Sequence, residues 1–372
     1  MQKPKKILVL ATSIGAGHIR AAQALEEAGR DLNCEVQVID FLRYLSPALS
    51  KAIEEAYYAA TKHIPRAYKF LYDLEEGPAT RLKLLQGKLG SGKMARLLAR
   101  EQPAAVISTH FMPAGAIDLL APGFIGPKTV VLTDYVPHPI WLYHNVDLYF
   151  VAHTGMREHL LKSGVAPEKI MVTGIPIKKE FSQRVDRQQL KQELGLNPDL
   201  PVVLLASGGH GIGPMQELLL GLRALKEPAQ VVTIAGNNEA LREELTEITQ
   251  KYDFPYPVII KGYVDDIHRW MGAADLLVSK AGGLTVSEAL AVGLPLLVVR
   301  PTPGQEDGNT DFLLEQGAGI YVQDEKRLPL VITGLLRNPQ RINGMAQAAI
   351  RAAKPNSAPE IVQAVAALCD EI

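Results

Sequence analysis

Cysteine is almost absent from this chain. Cys34 and Cys369 stand far apart and in no C-x-x-C pattern, so neither a disulfide framework nor a thiolate metal site is implied, and a reducing compartment fits. Also missing are H-E-x-x-H and any D-x-D pair, so a metal-dependent sugar-nucleotide site of that type is unsupported and no metal or cofactor is expected. No apolar run approaches the ~18 residues of a spanning helix, which leaves only peripheral contact with a membrane. The opening MQKPKKILVLATS carries lysines before an apolar run. That run is short and passes into a glycine loop, so it reads as a first strand and not as a signal peptide. A net charge of −1 gives no argument for a nucleic-acid partner, and none is expected.

What is present is length and alternation. The 372 residues, 47% of them hydrophobic, suffice for two domains with proper cores. Strand-like runs KILVLAT, CEVQVID, AAVISTH, KTVVLTD, LYFVAH and IMVTG are each followed by a turn or helix signal, the pattern of a parallel sheet with helices on both faces. After the mixed-charge segment TGIPIKKEFSQRVD (173–186), read as a linker, the alternation restarts with VVLLAS, AQVVTIAG, VIIKGY, LLVSK, LPLLVVR and GIYVQD. The expected class is α/β: two Rossmann-like, doubly wound domains over 1–178 and 179–355, and a last helix over 356–372 packing back on the first domain. Ligands of such sheets lie outside the carboxyl ends of the strands, so two facing sheets would gather their active loops around one cleft.

The stretch KAGGLTVSEALAVGLPLLVVRPTPGQEDGN (280–309) carries the densest chemistry. Gly282 and Gly283 let backbone N–H groups come close to a phosphate, and the helix beginning with Thr285 adds free donors and positive dipole. Glu288, one turn in, is placed to take two hydroxyls of a ribose. Gln305, Glu306 and Asn309 fall in a loop after the next strand and are candidates to grip a second polyol. In SGGHGIGP (207–214), Ser207, Gly208, Gly209 and Gly211 make an anion cradle suited to a diphosphate, or else a tight turn that needs glycine for conformation alone. His210 in that run either donates to an oxygen or faces solvent. In KGYVDD, the backbone near Tyr263 and Val264 pairs with a base edge, or Tyr263 lids the core.

In the first half, TSIGAGHIRAA resembles the dinucleotide fingerprint and fails it, because Arg20 stands where the third glycine belongs. Gly17 and His18 sit at the helix start instead. An imidazole there accepts a proton at neutral pH, so His18 is the candidate general base; the duller role is a hydrogen bonder at a helix start. GKLGSGKM (87–94) approaches a P-loop, but Met94 replaces the Mg²⁺-binding hydroxyl and no strand precedes it. STHFMPAG and TDYVPHPIW place His110, Asp134, His138 and Trp141 at strand ends, where they line an acceptor pocket or simply pack. Residues 41–100 form a helical insertion. Seven aromatics lie between Phe41 and Tyr72, among them Tyr57, Tyr58, Tyr68 and Phe70, and Arg81, Lys83, Lys88, Lys93, Arg96 and Arg100 follow with no acid between Thr80 and Arg100. That composition suits an anionic bilayer surface, at ~1 kcal/mol per basic residue, or a solvated face over an ordinary helical layer.

GGLTVSEALAVGLPLL with PTPGQEDGN, SGGHGIGP and GAGH together resemble family 28 glycosyltransferases, and TDYVPHPIW, DLYFVAH and TGIPI resemble the branch of monogalactosyldiacylglycerol synthases and processive diacylglycerol glucosyltransferases. The resemblance implies a GT-B architecture and an inverting transfer of glucose or galactose from a UDP-sugar to a membrane lipid, 1,2-diacylglycerol foremost. It makes His18 the base. Ser207, Gly208, Gly209 and Gly211 become the diphosphate loop, Glu288 the ribose contact, and Gln305, Glu306 and Asn309 the sugar contacts. It also implies a cytoplasmic enzyme, peripheral on the inner face of the cell membrane through residues 41–100. Transfer of N-acetylglucosamine to the polyprenyl-linked lipid I, UDP-N-acetylglucosamine 2-epimerase activity, and a non-catalytic nucleotide-sugar binder are the competing readings.

Overall fold

The computed structural model describes residues 4–63, 78–120, 123–183, 185–209, 211 and 213–370; the side chains of 58, 61–63, 78–89 and 120 are outside that description. By backbone contacts the chain divides into two compact units, Met1–Lys179 with Pro303–Gly308 and Lys354–Ile372, and Glu180–Thr302 with Asn309–Ala353.

In the first unit the strands are β1 (Lys6–Ala11), β2 (Glu35–Asp40), β3 (Ala105–Ser108), β4 (Lys128–Val131), β5 (Leu148–Val151) and β6 (Ile170–Val172). They form one parallel sheet in the order β2-β1-β3-β4-β5-β6. The helices are α1 (Ala16–Asp31), α2 (Phe41–Leu45), α3 (Pro47–His63), α4 (Pro78–Glu101), α5 (Phe111–Leu120) and α6 (Thr154–Lys162). Every residue of β3 and β5 is buried, as strands covered on both faces require. The turn between α1 and β2 is fixed by Asn33, whose φ of 54° lets the Cys34 N–H reach back to the Gly29 carbonyl at 2.9 Å. The near P-loop Gly87–Met94 lies inside the continuous helix α4, so it has no phosphate-cradling turn.

The second unit has β7 (Val202–Ala206), β8 (Gln230–Ile234), β9 (Val258–Lys261), β10 (Leu276–Ser279), β11 (Leu296–Val298) and β12 (Gly319–Tyr321), parallel in the order β12-β11-β10-β7-β8-β9. Its helices are α7 (Arg187–Glu193), α8 (Met215–Leu222), α9 (Glu239–Lys251), α10 (Ile267–Ala273), α11 (Gly283–Ala291), α12 (Gln305–Gln316), α13 (Leu328–Leu336) and α14 (Pro339–Ala352). The twelve strands are those the alternation predicts. One local expectation fails: Gln305, Glu306 and Asn309 do not sit in a loop but in the first turns of α12. The cause is visible at the helix start, where the Asp307 carboxylate accepts the Gly304 N–H at 2.9 Å and Glu306 and Asp307 meet the positive end of the helix.

The last helix, α15 (Ser357–Leu368), belongs to the first unit. Its Ile361, Val362 and Val365 have no exposed surface and join the cluster built from Ile7, Val9, Ala22 and Leu25 of β1 and α1. Ser357 donates to the Ile175 carbonyl at 2.8 Å, and Lys5 reaches the Ala366 carbonyl at 2.7 Å. No helix among the described residues is long and apolar enough to cross a membrane. Truncating a side chain at the α1–α15 contact leaves a cavity that the surrounding sheet cannot fill. Ile361→Ala is expected to lower the stability of the first unit by about 2–5 kcal/mol, read as the shift of its transition in denaturant melts; a change under about 0.5 kcal/mol would show that α15 is not part of that core.

Candidate active site

In each sheet the strand order reverses at one place, and loops diverging there leave a crevice at the carboxyl ends of the strands. In the first unit this place is between β1 and β3: β2 lies on the far side of β1, and β4 to β6 continue beyond β3. The loops after β1 and β3 flank it, and they bring His18 and His110 together.

Gly15, with φ of 74°, turns the chain out of β1 and starts α1, placing His18 in the first turn. The His18 Nδ1 is 2.8 Å from the carbonyl oxygen of Thr109 and 2.9 Å from the Thr133 hydroxyl. A carbonyl only accepts, so Nδ1 carries the proton and the lone pair is on Nε2, which has no hydrogen bond among the described residues. Thr109 grips the same residue a second time, its hydroxyl donating to the His18 carbonyl at 3.1 Å. Burial pulls the imidazole from its ordinary 6.5 down to about 4, against a smaller opposing effect of the Thr109 hydrogen bond. His18 is therefore neutral at physiological pH and has the tautomer of a base. The Thr12 and Ser13 hydroxyls, just after β1, are buried without a hydrogen-bond partner among the described residues. Thr109 and Thr133 were not singled out from the sequence. Their signal is a threonine just past the carboxyl ends of β3 and β4.

Three other histidines in this unit use their rings differently. Nδ1 of His110 accepts the Met112 N–H, that of His138 the Ile140 N–H, and that of His153 the Gly155 N–H, each at 3.2 Å. Each caps the start of a short turn or helix two residues on, as an Asn or Asp side chain would. His110 also stands edge-on to His18 with ring centres 4.6 Å apart. Trp141, 5% exposed, lies 6.3 Å from His18 and 6.2 Å from His110. Asp134 is half-buried and has interactions of its own.

In the second unit the reversal falls between β7 and β10, so the loop 207–214 and the start of α11 flank a common crevice. The glycines of that loop differ in purpose. Gly211 needs to be glycine for packing, since a Cβ would come within 2.2 Å of the Ala235 carbonyl. Gly208 and Gly213 have positive φ with open space beside them. The carbonyl of Gly209 accepts from Asn237 N–H and that of Gly211 from the Asn238 amide, which pins the loop to the end of β8. Ser207 donates to the Ile234 carbonyl at 3.4 Å. Neither α8 nor α11 has a side-chain cap at its start, and Gly282 holds the N-cap of α11. Thr285 is half-buried, and Glu288 is 3% exposed and has interactions of its own. Tyr263 is 59% exposed and so lids no core, while Val264 beside it is half-buried.

The 305–309 cluster is divided between the units. Asn309 has no exposed surface and donates its amide to the Ala281 carbonyl at 2.8 Å, bracing α12 against the chain just before α11. Gln305 and Glu306 group with the first unit, where Gln305 Nε2 is 3.5 Å from the Tyr57 hydroxyl. In the 41–100 insertion, Phe41 is core, Lys93 donates to the Leu45 carbonyl, and Arg100 pairs with Glu101 while lying 5.7 Å over the Tyr44 ring. Those groups serve the helical layer. Tyr68, Phe70, Tyr72 and His210, and the side chains of Tyr58, Arg81, Lys83 and Lys88, lie outside the described residues.

Comparison with known proteins identifies the family. Residues 18–177 match the family model for monogalactosyldiacylglycerol synthase, and residues 202–364 match that for the glycosyltransferase family 28 C-terminal domain. A processive diacylglycerol β-glucosyltransferase of Bacillus mycoides is 30% identical over 374 residues, covering 99% of this chain and 95% of that protein. One of Bacillus licheniformis is 29% identical over 93% of this chain and 90% of its own length. Among solved structures, MurG of Acinetobacter baumannii superposes with a TM-score of 0.64 at 18% identity, covering 98% of this chain and all of that one, which supports the GT-B fold. The chain belongs to the family 28 glycosyltransferases, in the branch of monogalactosyldiacylglycerol synthases and processive diacylglycerol glucosyltransferases, and is a hexosyltransferase.

Proposed function

We propose that the enzyme transfers glucose from UDP-glucose to the hydroxyl of 1,2-diacylglycerol, with His18 as general base and inversion of the α-linked donor to a β-glycoside. The observation that carries this reading is the fixed tautomer of His18, a neutral imidazole with its Nε2 lone pair unused. Nε2 takes the proton of the acceptor hydroxyl as the oxygen attacks the anomeric carbon; the bond from that carbon to the diphosphate oxygen breaks, and its electron pair leaves with UDP. Ser207, Gly208, Gly209 and Gly211, with Gly282, Gly283 and Thr285 at the start of α11, offer backbone N–H groups and helix dipole to the departing charge. Glu288 takes the ribose, the backbone at Tyr263 and Val264 the base, and Gln305 and Glu306 the sugar.

Glucose is preferred to galactose because the relatives spanning nearly the whole chain are named as glucosyltransferases. The epimerase reading has the fold in its favour, since a UDP-GlcNAc 2-epimerase of Neisseria meningitidis superposes with a TM-score of 0.61, but at 14% identity that likeness concerns architecture alone. Nothing favours lipid I over diacylglycerol. The enzyme works at the membrane surface where its acceptor resides, with part of the 41–100 insertion as the contact.

The test is product formation from UDP-glucose, UDP-galactose and UDP-N-acetylglucosamine against diacylglycerol liposomes and lipid I. Glucosyldiacylglycerol as the main product is expected, and epimerised UDP-sugar without lipid would overturn the reading. His18→Ala should lower kcat/KM about 10²–10⁴-fold while UDP binding is retained. Because His18 gains its proton only near pH 4, the acid limb of kcat/KM should lie near 4 and not near the ordinary 6.5. The same shift acts on stability: the unfolded chain takes up this proton below 6.5 and the folded one resists it down to about 4, so stability falls as pH drops through that window. With backbone amides stabilising the diphosphate, transfer should survive EDTA; loss of activity restored by Mg²⁺ would replace that account of the leaving group.

A further inference from the structure

His110 has two ring nitrogens, and the fold uses one. Nδ1 accepts the Met112 N–H at 3.2 Å, so the proton of the neutral ring is on Nε2. The ring is neutral because burial holds it well below the ordinary histidine range, and a charge on His18 would push it further down. Phe111 at 4.1 Å and Trp141 at 6.2 Å wall it in, and only 3% of the residue is exposed. Nε2–H nevertheless has no hydrogen bond among the described residues, and it is not one of the fully enclosed polar atoms that lack a partner. The little surface that the ring keeps therefore includes a hydrogen-bond donor. Its neighbour is the His18 ring, edge-on at 4.6 Å, whose unused nitrogen carries a lone pair. Two adjacent imidazoles thus present opposite faces of hydrogen bonding, an acceptor at His18 Nε2 and a donor at His110 Nε2. A hydroxyl group is both donor and acceptor, and one oxygen lying within range of both rings satisfies both.

We propose that His110 Nε2–H donates a hydrogen bond to the attacking hydroxyl oxygen of the acceptor, holding it while His18 Nε2 takes its proton. This rests on the glycosyl-transfer reading. It assigns His110 a role that neither its capping bond nor its packing requires. A hydroxyl anchored from two sides has one remaining lone pair free to attack, so the pair of rings selects an alcohol acceptor and aims it. An acceptor lacking a hydroxyl cannot satisfy both rings, and water, held by the same two contacts, lacks the apolar body that packing beside Trp141 and Phe111 rewards.

The two nitrogens are separable by substitution, because an Asn amide reaches the position of Nδ1 and a Gln amide that of Nε2. In the full-length enzyme with UDP-glucose and diacylglycerol in mixed micelles, His110→Asn is expected to keep the capping bond and the thermal midpoint and to raise the acceptor KM about tenfold, with donor KM unchanged. His110→Gln is expected to lose the cap and melt earlier, yet to keep an acceptor KM within about threefold of the parent. An unchanged acceptor KM in His110→Asn would overturn the proposal and leave His110 a turn cap. Should His110→Asn fail to fold, His110→Gln decides against His110→Phe: a Gln value near the parent supports the donor role, and a Gln value as high as that of Phe overturns it. Glycolipid formation by the parent enzyme is measured alongside, so absence of product there counts against the transferase reading and not against the role of His110.

Discussion

The hydrogen bond from His18 Nδ1 to the Thr109 carbonyl joins the first turn of α1 to the end of β3 across 2.8 Å. A carbonyl has no proton to give, so this contact fixes the tautomer of His18, and the base role proposed for it depends on that tautomer. If the same ring accepted a backbone N–H, as His110, His138 and His153 do, its basic nitrogen would be committed to the fold and the exposed one would be an N–H. The difference lies in the backbone group that meets Nδ1: an amide two residues ahead in three cases, and a carbonyl from another strand in the fourth.

That carbonyl is available because β3 lies directly beside β1. Strand order β2-β1-β3 sends the chain to opposite sides after β1, and the loops leaving β1 and β3 then face one another with no crossing helix between them. The second sheet repeats the device between β7 and β10, with glycine loops in place of imidazoles. The two reversals have opposite chemistry. One presents a lone pair and an N–H on buried rings. The other presents uncapped helix starts and a loop whose carbonyls are already tied to Asn237 and Asn238, leaving a surface suited to anions.

The sheets were legible in the sequence because their central strands, buried on both faces, are short apolar runs, and turn signals separate the twelve runs from the helical segments. The start of α12 was not, since PTPGQEDGN has a loop's composition, and only the reach of the Asp307 carboxylate back to Gly304 N–H turns it into a helix start. Likewise GAGH announces a histidine at a helix start, but nothing near residue 18 announces its tautomer. The deciding partners, Thr109 and Thr133, are supplied by strands far along the chain. Asn309 illustrates the reverse case. Its side chain stands in a polar run, and its full burial and its bond to the Ala281 carbonyl come only from the fold.

An imidazole held near pKa 4 is a weak base, and a weak base removes a proton only when that proton has become acidic. A free alcohol does not meet that condition, but an alcohol oxygen that has begun to bond to an anomeric carbon does, because positive charge grows on it as the bond forms. With His18 as the proposed base, proton transfer therefore advances with carbon–oxygen bonding and does not precede it. On that proposal Nε2 first orients the hydroxyl as a hydrogen-bond acceptor. Desolvation also keeps the ring neutral, so His18 brings no positive charge of its own to the end of the first sheet. Under the proposed mechanism, lowered basicity thus costs some proton affinity and ties proton transfer to His18 to the formation of the new bond.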